Sequence, residues 1–301
     1  MSDLANTPTA TLFKQWRSQG DAAAGQAMAQ RFSDWYYAIT TCRLGDAHGR
    51  GPLQRACVRF QQGILTVTTP AELTEWSHGL LMEEVRMAGG RIAGGDFPNQ
   101  LTGGRSPTEL LGSVTGQMRA EDVELLSLAY DSATAIETVT ARAEGMGGYP
   151  VAVLNARLAL KRALRDGAGI AFSEVPESPN LDLAPLPLYE AGRISREAEE
   201  AGFEKWVLTD MRLCKDIAEF GVFAQAIRAG ALRGATLAPA KAKASSKPVP
   251  ALAPSAASAG DPDNEATSVV GKAAIPLAIF IALGAIGLTL LGGAAVWILF
   301  F

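Results

Sequence analysis

The sequence predicts an all-α protein made of helical units in series and closed by one helix of membrane length. Three observations predict it. Apolar and aromatic residues recur at three- and four-residue spacing across most of residues 7–230. Glycine- and proline-rich stretches at 89–106 and 168–185 divide that region into three parts. From Ala273 to Phe301 there is no charged residue.

Residues 7–88 read as a four-helix bundle. Thr7-Pro8 is a start signal with proline at the first helical position, and Leu12, Phe13 and Trp16 follow on one side. Asp21 is placed to cap a second helix carrying Met28, Phe32, Trp35, Tyr36 and Ile39. Gly45-Asp46 breaks it, and a third helix is expected from Pro52 to Gly63. After Pro70 a fourth carries Leu73, Trp76, Leu80, Leu81 and Val85. The aromatic stripes serve a core. For Trp35, Tyr36 and Tyr37, stacking on single-stranded DNA is the alternative.

Residues 89–106 hold three Gly-Gly pairs and read as a linker. Helices resume over 107–167, at Pro107–Met118, Ala120–Tyr130, about Ile136–Glu144 and Pro150–Asp166, with the turn Gly145–Gly148 before the last. That last helix offers Val153, Leu154, Leu158 and Leu164 to a core and Arg157, Lys161, Arg162 and Arg165 to a basic face. The face is either a nucleic-acid contact or a solvated helix surface. Residues 168–185, with Pro176, Pro179 and Pro185, read as a second linker. In 186–230, Ser195 is placed as the cap of a helix with Glu197, Glu199 and Glu200 in its first turns. Phe203, Trp206 and Val207 are expected to face inward. A last helix, Arg212–Ala229, carries Ile217, Phe220, Phe223 and Ile227.

Residues 231–272 are rich in Ala, Pro, Ser and Lys and read as a disordered tether. Residues 273–301 would span roughly 43 Å as a helix at ~1.5 Å per residue, against the 20 or so residues a bilayer core needs. Lys241, Lys243, Lys247 and Lys272 all precede the segment, which predicts the N-terminal side in the cytoplasm. The expected location is the bacterial inner membrane, crossed once. Ala285, Thr289 and Gly293 recur every four residues and form a small-residue stripe through which two such helices could pair as a homodimer.

Composition narrows the function. A net charge of −4 argues against coating nucleic acid by bulk electrostatics. Three cysteines, Cys42, Cys57 and Cys214, and two histidines, His48 and His78, provide no cluster with the spacing of a metal site. No phosphate loop, GxSxG or HExxH motif occurs, so no enzyme and no cofactor are expected.

Several motifs carry a family resemblance. Leu12–Arg31, LFKQWRSQGDAAAGQAMAQR, together with Leu44-Gly45-Asp46 and Glu75-Trp76, resembles region 2 of RNA polymerase sigma factors of the extracytoplasmic-function type. Glu124–Tyr130 and Val153–Leu158 resemble region 4, the helix-turn-helix that reads promoter DNA. Leu186–Ser195, LPLYEAGRIS, resembles the opening of the small helical domain of membrane-anchored anti-sigma factors. Of that family's zinc ligands only Cys214 has a counterpart, Met211 and Val207 standing in the other places, which implies a zinc-free version. Where the family has an acidic run that contributes to polymerase contact, this chain has Ala47–Arg55 with arginines. The resemblance implies a membrane-anchored regulator in which 186–230 restrains the sigma-like parts. Its partners would be RNA polymerase core and promoter DNA, the latter through Asn155, Arg157, Lys161, Arg162 and Arg165. The alternative is a membrane-anchored scaffold or adaptor that recruits a cytoplasmic protein partner and no longer binds polymerase or DNA.

Overall fold

The computed structural model describes residues 4, 7–178 and 180–233. Residues 234–272 of the tether, the apolar segment 273–301 and the stripe Ala285, Thr289 and Gly293 lie outside the described residues. The first tether residues are packed, with Leu232 buried and Arg233 paired with Asp131. Ten α-helices and no strand occur among those described.

Helix α1 (Thr9–Gln19) follows Pro8, which sits just outside the helix rather than in its first turn. Helix α2 (Ala22–Gly63) starts as its sequence predicts, with the Asp21 carboxylate accepting from the N–H groups of Ala23 and Ala24. It breaks at Gly45, whose φ of 73° and ψ of 159° leave the helical region. The helix then resumes at once, so Pro52 lies inside its second stretch and does not start a new helix. Asp46 explains the early restart. Its carboxylate sits in the first resumed turn, where the helix dipole favours an anion, and it accepts from Arg50 and Tyr37. Thr69 caps α3 (Pro70–Met87) by accepting from Glu72 N–H, and Ser106 caps α4 (Pro107–Val114) by accepting from Glu109 N–H. Helices α5 (Ala120–Tyr130), α6 (Ile136–Glu144) and α7 (Val151–Ala168) follow.

Next come α8 (Leu186–Ala191), α9 (Glu197–Val207) and α10 (Met211–Arg228). Ser195 is not the cap of α9. Arg196 holds that position without a capping side-chain hydrogen bond, and the early acids Glu197, Glu199 and Glu200 favour the helix start through its dipole. Asp210 caps α10. Trp206, expected inside, is 36% exposed at the edge.

Two apolar clusters hold the helices. One joins α1–α3 to Leu186, Tyr189, Phe203, Val207, Leu213, Cys214 and Ile217. The other joins α4–α7 to Phe220, Val222, Phe223, Ala226 and Ile227. The first half of α10 therefore belongs to one cluster and its second half to the other. A helix apolar on nearly all sides belongs at the centre of a protein, and α10 is there. Trp35 and Tyr36 are fully buried in the first cluster, which settles them as core residues. Trp35 donates its ring N–H to the Glu204 carbonyl at 2.7 Å.

The glycine-rich stretch 89–106 has no helix but lies against its neighbours. Ile92 N–H donates to Arg43 O and Gly95 N–H to Gln225 O. Phe97 packs edge-on against His48 and covers Gly45. At Gly94, φ is 137° and a Cβ would stand 2.7 Å from both Ala229 N and Gln225 O. Gly94→Ala should therefore destabilise the fold by about 3 kcal/mol or more, combining backbone strain with a clash against main chain. Gly103→Ala, where φ is 62° and the space is open, should cost only about 1 kcal/mol. Urea unfolding followed by tryptophan fluorescence measures both.

Candidate functional site

The basic helix α7 is the candidate site, and the structure divides its residues. Asn155 and Arg165 are exposed, and Arg165 pairs with the adjacent Asp166. Arg162 is half-buried and donates to the carbonyls of Pro176 and Glu177. Arg157 and Lys161 turn inward, to 6% and 1% exposure. A solvated basic face at those two positions is thus corrected. Their turns of α7 are enclosed by α10 and by residues 173–178, and acidic partners await them.

Arg157 meets Glu190 of α8 through two hydrogen bonds, Nε to Oε2 at 2.9 Å and Nη2 to Oε1 at 2.7 Å. The same Nη2 lies 2.6 Å from Asp216 Oδ2 on α10. Lys161 donates to Asp216 Oδ1 and to the Glu174 carbonyl. Tyr130 of α5 donates to Glu190 Oε2 at 2.5 Å. The Arg157 guanidinium stacks on Phe220 at 4.1 Å and the Lys161 ammonium on Phe172 at 4.9 Å. Two cations and two anions cancel, and every one is supplied by a different turn. Burial would raise the Asp216 carboxyl, but Arg157 and Lys161 outweigh it and hold Asp216 below the usual range. For Glu190 burial prevails and pushes the carboxyl up, even with Arg157 against it.

A second buried anion ties α9 to the first bundle. Glu204 has no exposure. Its Oε1 accepts from Arg43 at 2.6 Å and from Tyr189 at 2.8 Å, and its Oε2 faces His78 Nε2 at 2.8 Å. Burial would raise this carboxyl; His78, Arg43 and Tyr189 together reverse that and lower it. Glu200 pairs with Arg43 and Arg91. A third polar joint sits at the break in α2. Gln225 donates to the carbonyls of Thr41 and Cys42, and Arg228 donates to those of Cys42 and Glu190. A broken helix leaves carbonyls without partners in the next turn, and α10 supplies them.

A cleft of about 400 Å³ opens between α7, α10 and residues 173–178, with Leu158, Lys161, Glu174, Arg212, Lys215 and Glu219 among its lining. Among the described residues no group of three or more His, Cys, Asp or Glu is arranged to hold a metal ion. Cys42 and Cys214 are buried, and burial raises both thiols. No described helix is long and apolar enough to cross a membrane.

Glu190, Glu204, Asp216, Gln225 and Arg228 carry these joints, and the sequence reading singled out none of them. A signal existed: each is a charged or amide residue set among apolar helix positions, such as Asp216 beside Ile217 and Glu204 beside Phe203. No protein-family model, curated protein or solved structure matches the chain.

Two predictions follow from the charges. Glu190→Ala leaves Arg157 short of a partner in a dry site and should cost about 3–5 kcal/mol, whereas Arg157→Met combined with Glu190→Leu should fall within about 1–2 kcal/mol of the parent. Chemical denaturation of the two variants decides it. The second concerns pH. Asp216 and Glu204 have folded pKa values below their unfolded values of about 3.9 and 4.3, so the unfolded chain binds more protons in that window. Their contribution is present above those values and is lost as pH falls through the folded ones. Glu190 is shifted the other way, and its contribution is present below its unfolded value and lost as pH rises. Thermal melts should therefore show a drop in stability from pH 5 to pH 3, and Asp216→Asn should make that drop shallower.

Proposed function

We propose that the chain is a membrane-anchored adaptor on a sigma-like arrangement of helices, which recruits a cytoplasmic protein partner and does not read promoter DNA. One observation carries this reading. Arg157 and Lys161, the centre of the proposed DNA face, are buried against Glu190 and Asp216. Freeing them would require withdrawing α10, which both apolar clusters share. Such a withdrawal dissolves the core rather than undocking a module. The arginines at 50 and 55 point the same way: both are engaged by carboxylates of the same bundle, Asp46 and Glu84. In this proposal residues 273–301 anchor the chain in the bacterial inner membrane, 234–272 tether it, and Ala285, Thr289 and Gly293 pair two copies. No enzymatic activity is proposed.

A second reading has a specific observation in its favour. Both acids that neutralise α7 come from 186–230, the segment that resembles an anti-sigma domain. On that reading the chain is a transcriptional regulator held off by its own C-terminal module, with polymerase core and promoter DNA as its partners.

Affinity capture of the full-length chain from its native membranes tests the proposal. The expected eluate contains a protein partner and no polymerase subunits. Stoichiometric polymerase, or a specific shift of promoter DNA by the full chain, would overturn the adaptor reading in favour of the regulator.

A further inference from the structure

Two buried cations of α7 are matched by carboxylates, but the edge of the helix is matched differently. Among the described residues Arg162 has no carboxylate in hydrogen-bond contact; it donates to two main-chain carbonyls, of Pro176 and Glu177. Lys161 divides its donors between Asp216 and the Glu174 carbonyl. The stretch that supplies these carbonyls, Ser173-Glu174-Val175-Pro176-Glu177-Ser178, is acidic, forms neither helix nor strand and is almost wholly exposed. Val175 is the most covered residue in it and is still not buried. Its upstream end is fastened by Ser173, whose N–H and hydroxyl donate to Glu219 of α10. The cleft of about 400 Å³ lies beneath it. The stretch is therefore a strap held by a few polar contacts, with no apolar core of its own to lose.

We infer that residues 173–178 are a displaceable internal ligand, and that α7 and α10 beneath them form a docking groove for an acidic, extended segment of a partner protein. The chemistry favours exchange. Arg162 gives the strap carbonyls bonds with only the donor charged, whereas a carboxylate adds an opposite charge and can accept from the guanidinium through both oxygens. An incoming chain that places a carboxylate there improves on the contact it replaces. Displacement also removes Glu174 from the groove. Arg157 and Lys161 stay matched by Glu190 and Asp216. Arg212 lies 3.6 Å from Asp210, so Lys215 in the groove and Arg162 beside it are left with Glu219. The groove is left cationic without any movement of α8–α10. This inference rests on the adaptor reading for its partner class, but the strap itself is testable without it.

The probe is a fluorescein-labelled peptide, Phe-Ser-Asp-Val-Pro-Asp-Ser, which copies the strap with aspartates for glutamates. The protein is the full chain in phosphatidylcholine discs. Glu219→Gln, which unfastens Ser173, should tighten peptide binding at least tenfold. Adding Arg162→Ala should weaken it at least tenfold again, and a peptide with lysines in place of the aspartates should not bind. Bound probe should also speed cleavage of the protein after Glu174 and Glu177 by a glutamate-specific protease, which does not cut the probe. If Glu219→Gln does not fold, an equally long Gly-Ser replacement of 173–178 takes its place in the binding measurement. Binding that is indifferent to Arg162→Ala, binding that leaves strap cleavage unchanged, or no binding to the unfastened chain each overturns the inference. A strap that becomes cleavable in Glu219→Gln while no acidic peptide binds sinks the docking groove but leaves the adaptor reading standing.

Discussion

The buried acids Glu190 and Glu204, and Asp216 beside them, are matched by cations that lie far apart from them in sequence, and the rest of the fold depends on that matching. Removing a charge from water costs several kcal/mol, and leaving one unpaired in the interior costs more than most single contacts return. Glu190 therefore needs Arg157, Asp216 needs Arg157 and Lys161, and Glu204 needs Arg43. Each pair links α8, α9 or α10 to a helix formed earlier in the chain. Apolar packing alone would bring these helices together in several similar ways. The charges accept only the arrangement in which all of them meet partners, so they fix the register of the last three helices against the first seven.

The break in α2 is part of the same arrangement. Gly45 interrupts the helix, and α10 approaches it with Gly221 against Thr41 and Cys42, close enough for Gln225 and Arg228 to reach the exposed carbonyls. A Cβ at 221 would just touch Thr41 and Cys42, at 3.5 and 3.6 Å, so a side chain larger than alanine there would hold the helices apart and strand those buried carbonyls. Arg228 also donates to the Glu190 carbonyl, so one side chain joins the break in α2 to the end of α8. The two apolar clusters are thus connected by α10 through methyl groups and rings on some faces and through amide and guanidinium groups on another.

Helix positions were largely legible because they rest on local physics. Asp21, Thr69-Pro70 and Ser106-Pro107 mark starts through side-chain caps and proline, and the aromatic spacing marks the buried faces. Failures occurred where a distant group decides. Pro52 looked like a helix start because the carboxylate that restarts α2 six residues earlier gives no distinct signal. Arg157 and Lys161 looked solvated because a cation beside Leu158 is compatible with either side of a helix, and the acids that draw them inward are 33 and 55 residues away. The stretches at 89–106 and 168–185 read as linkers by composition. Their glycines and prolines do prevent helix, yet their main-chain groups are spent on Arg43, Gln225, Lys161 and Arg162.

What partners each cation separates the permanent parts of this molecule from the exchangeable one. Arg157 is buried and satisfied by two carboxylates and an aromatic face, and no external group could improve on that at a cost below the core itself. Arg162 is satisfied by neutral carbonyls at the surface, where water already competes for it. A partner chain therefore gains nothing by attacking the first and has a charge to gain at the second. Of the four cations of α7, only Arg162 and Arg165 reach the outside, and Arg165 already pairs with Asp166, so function at this helix has to work through its Arg162 edge.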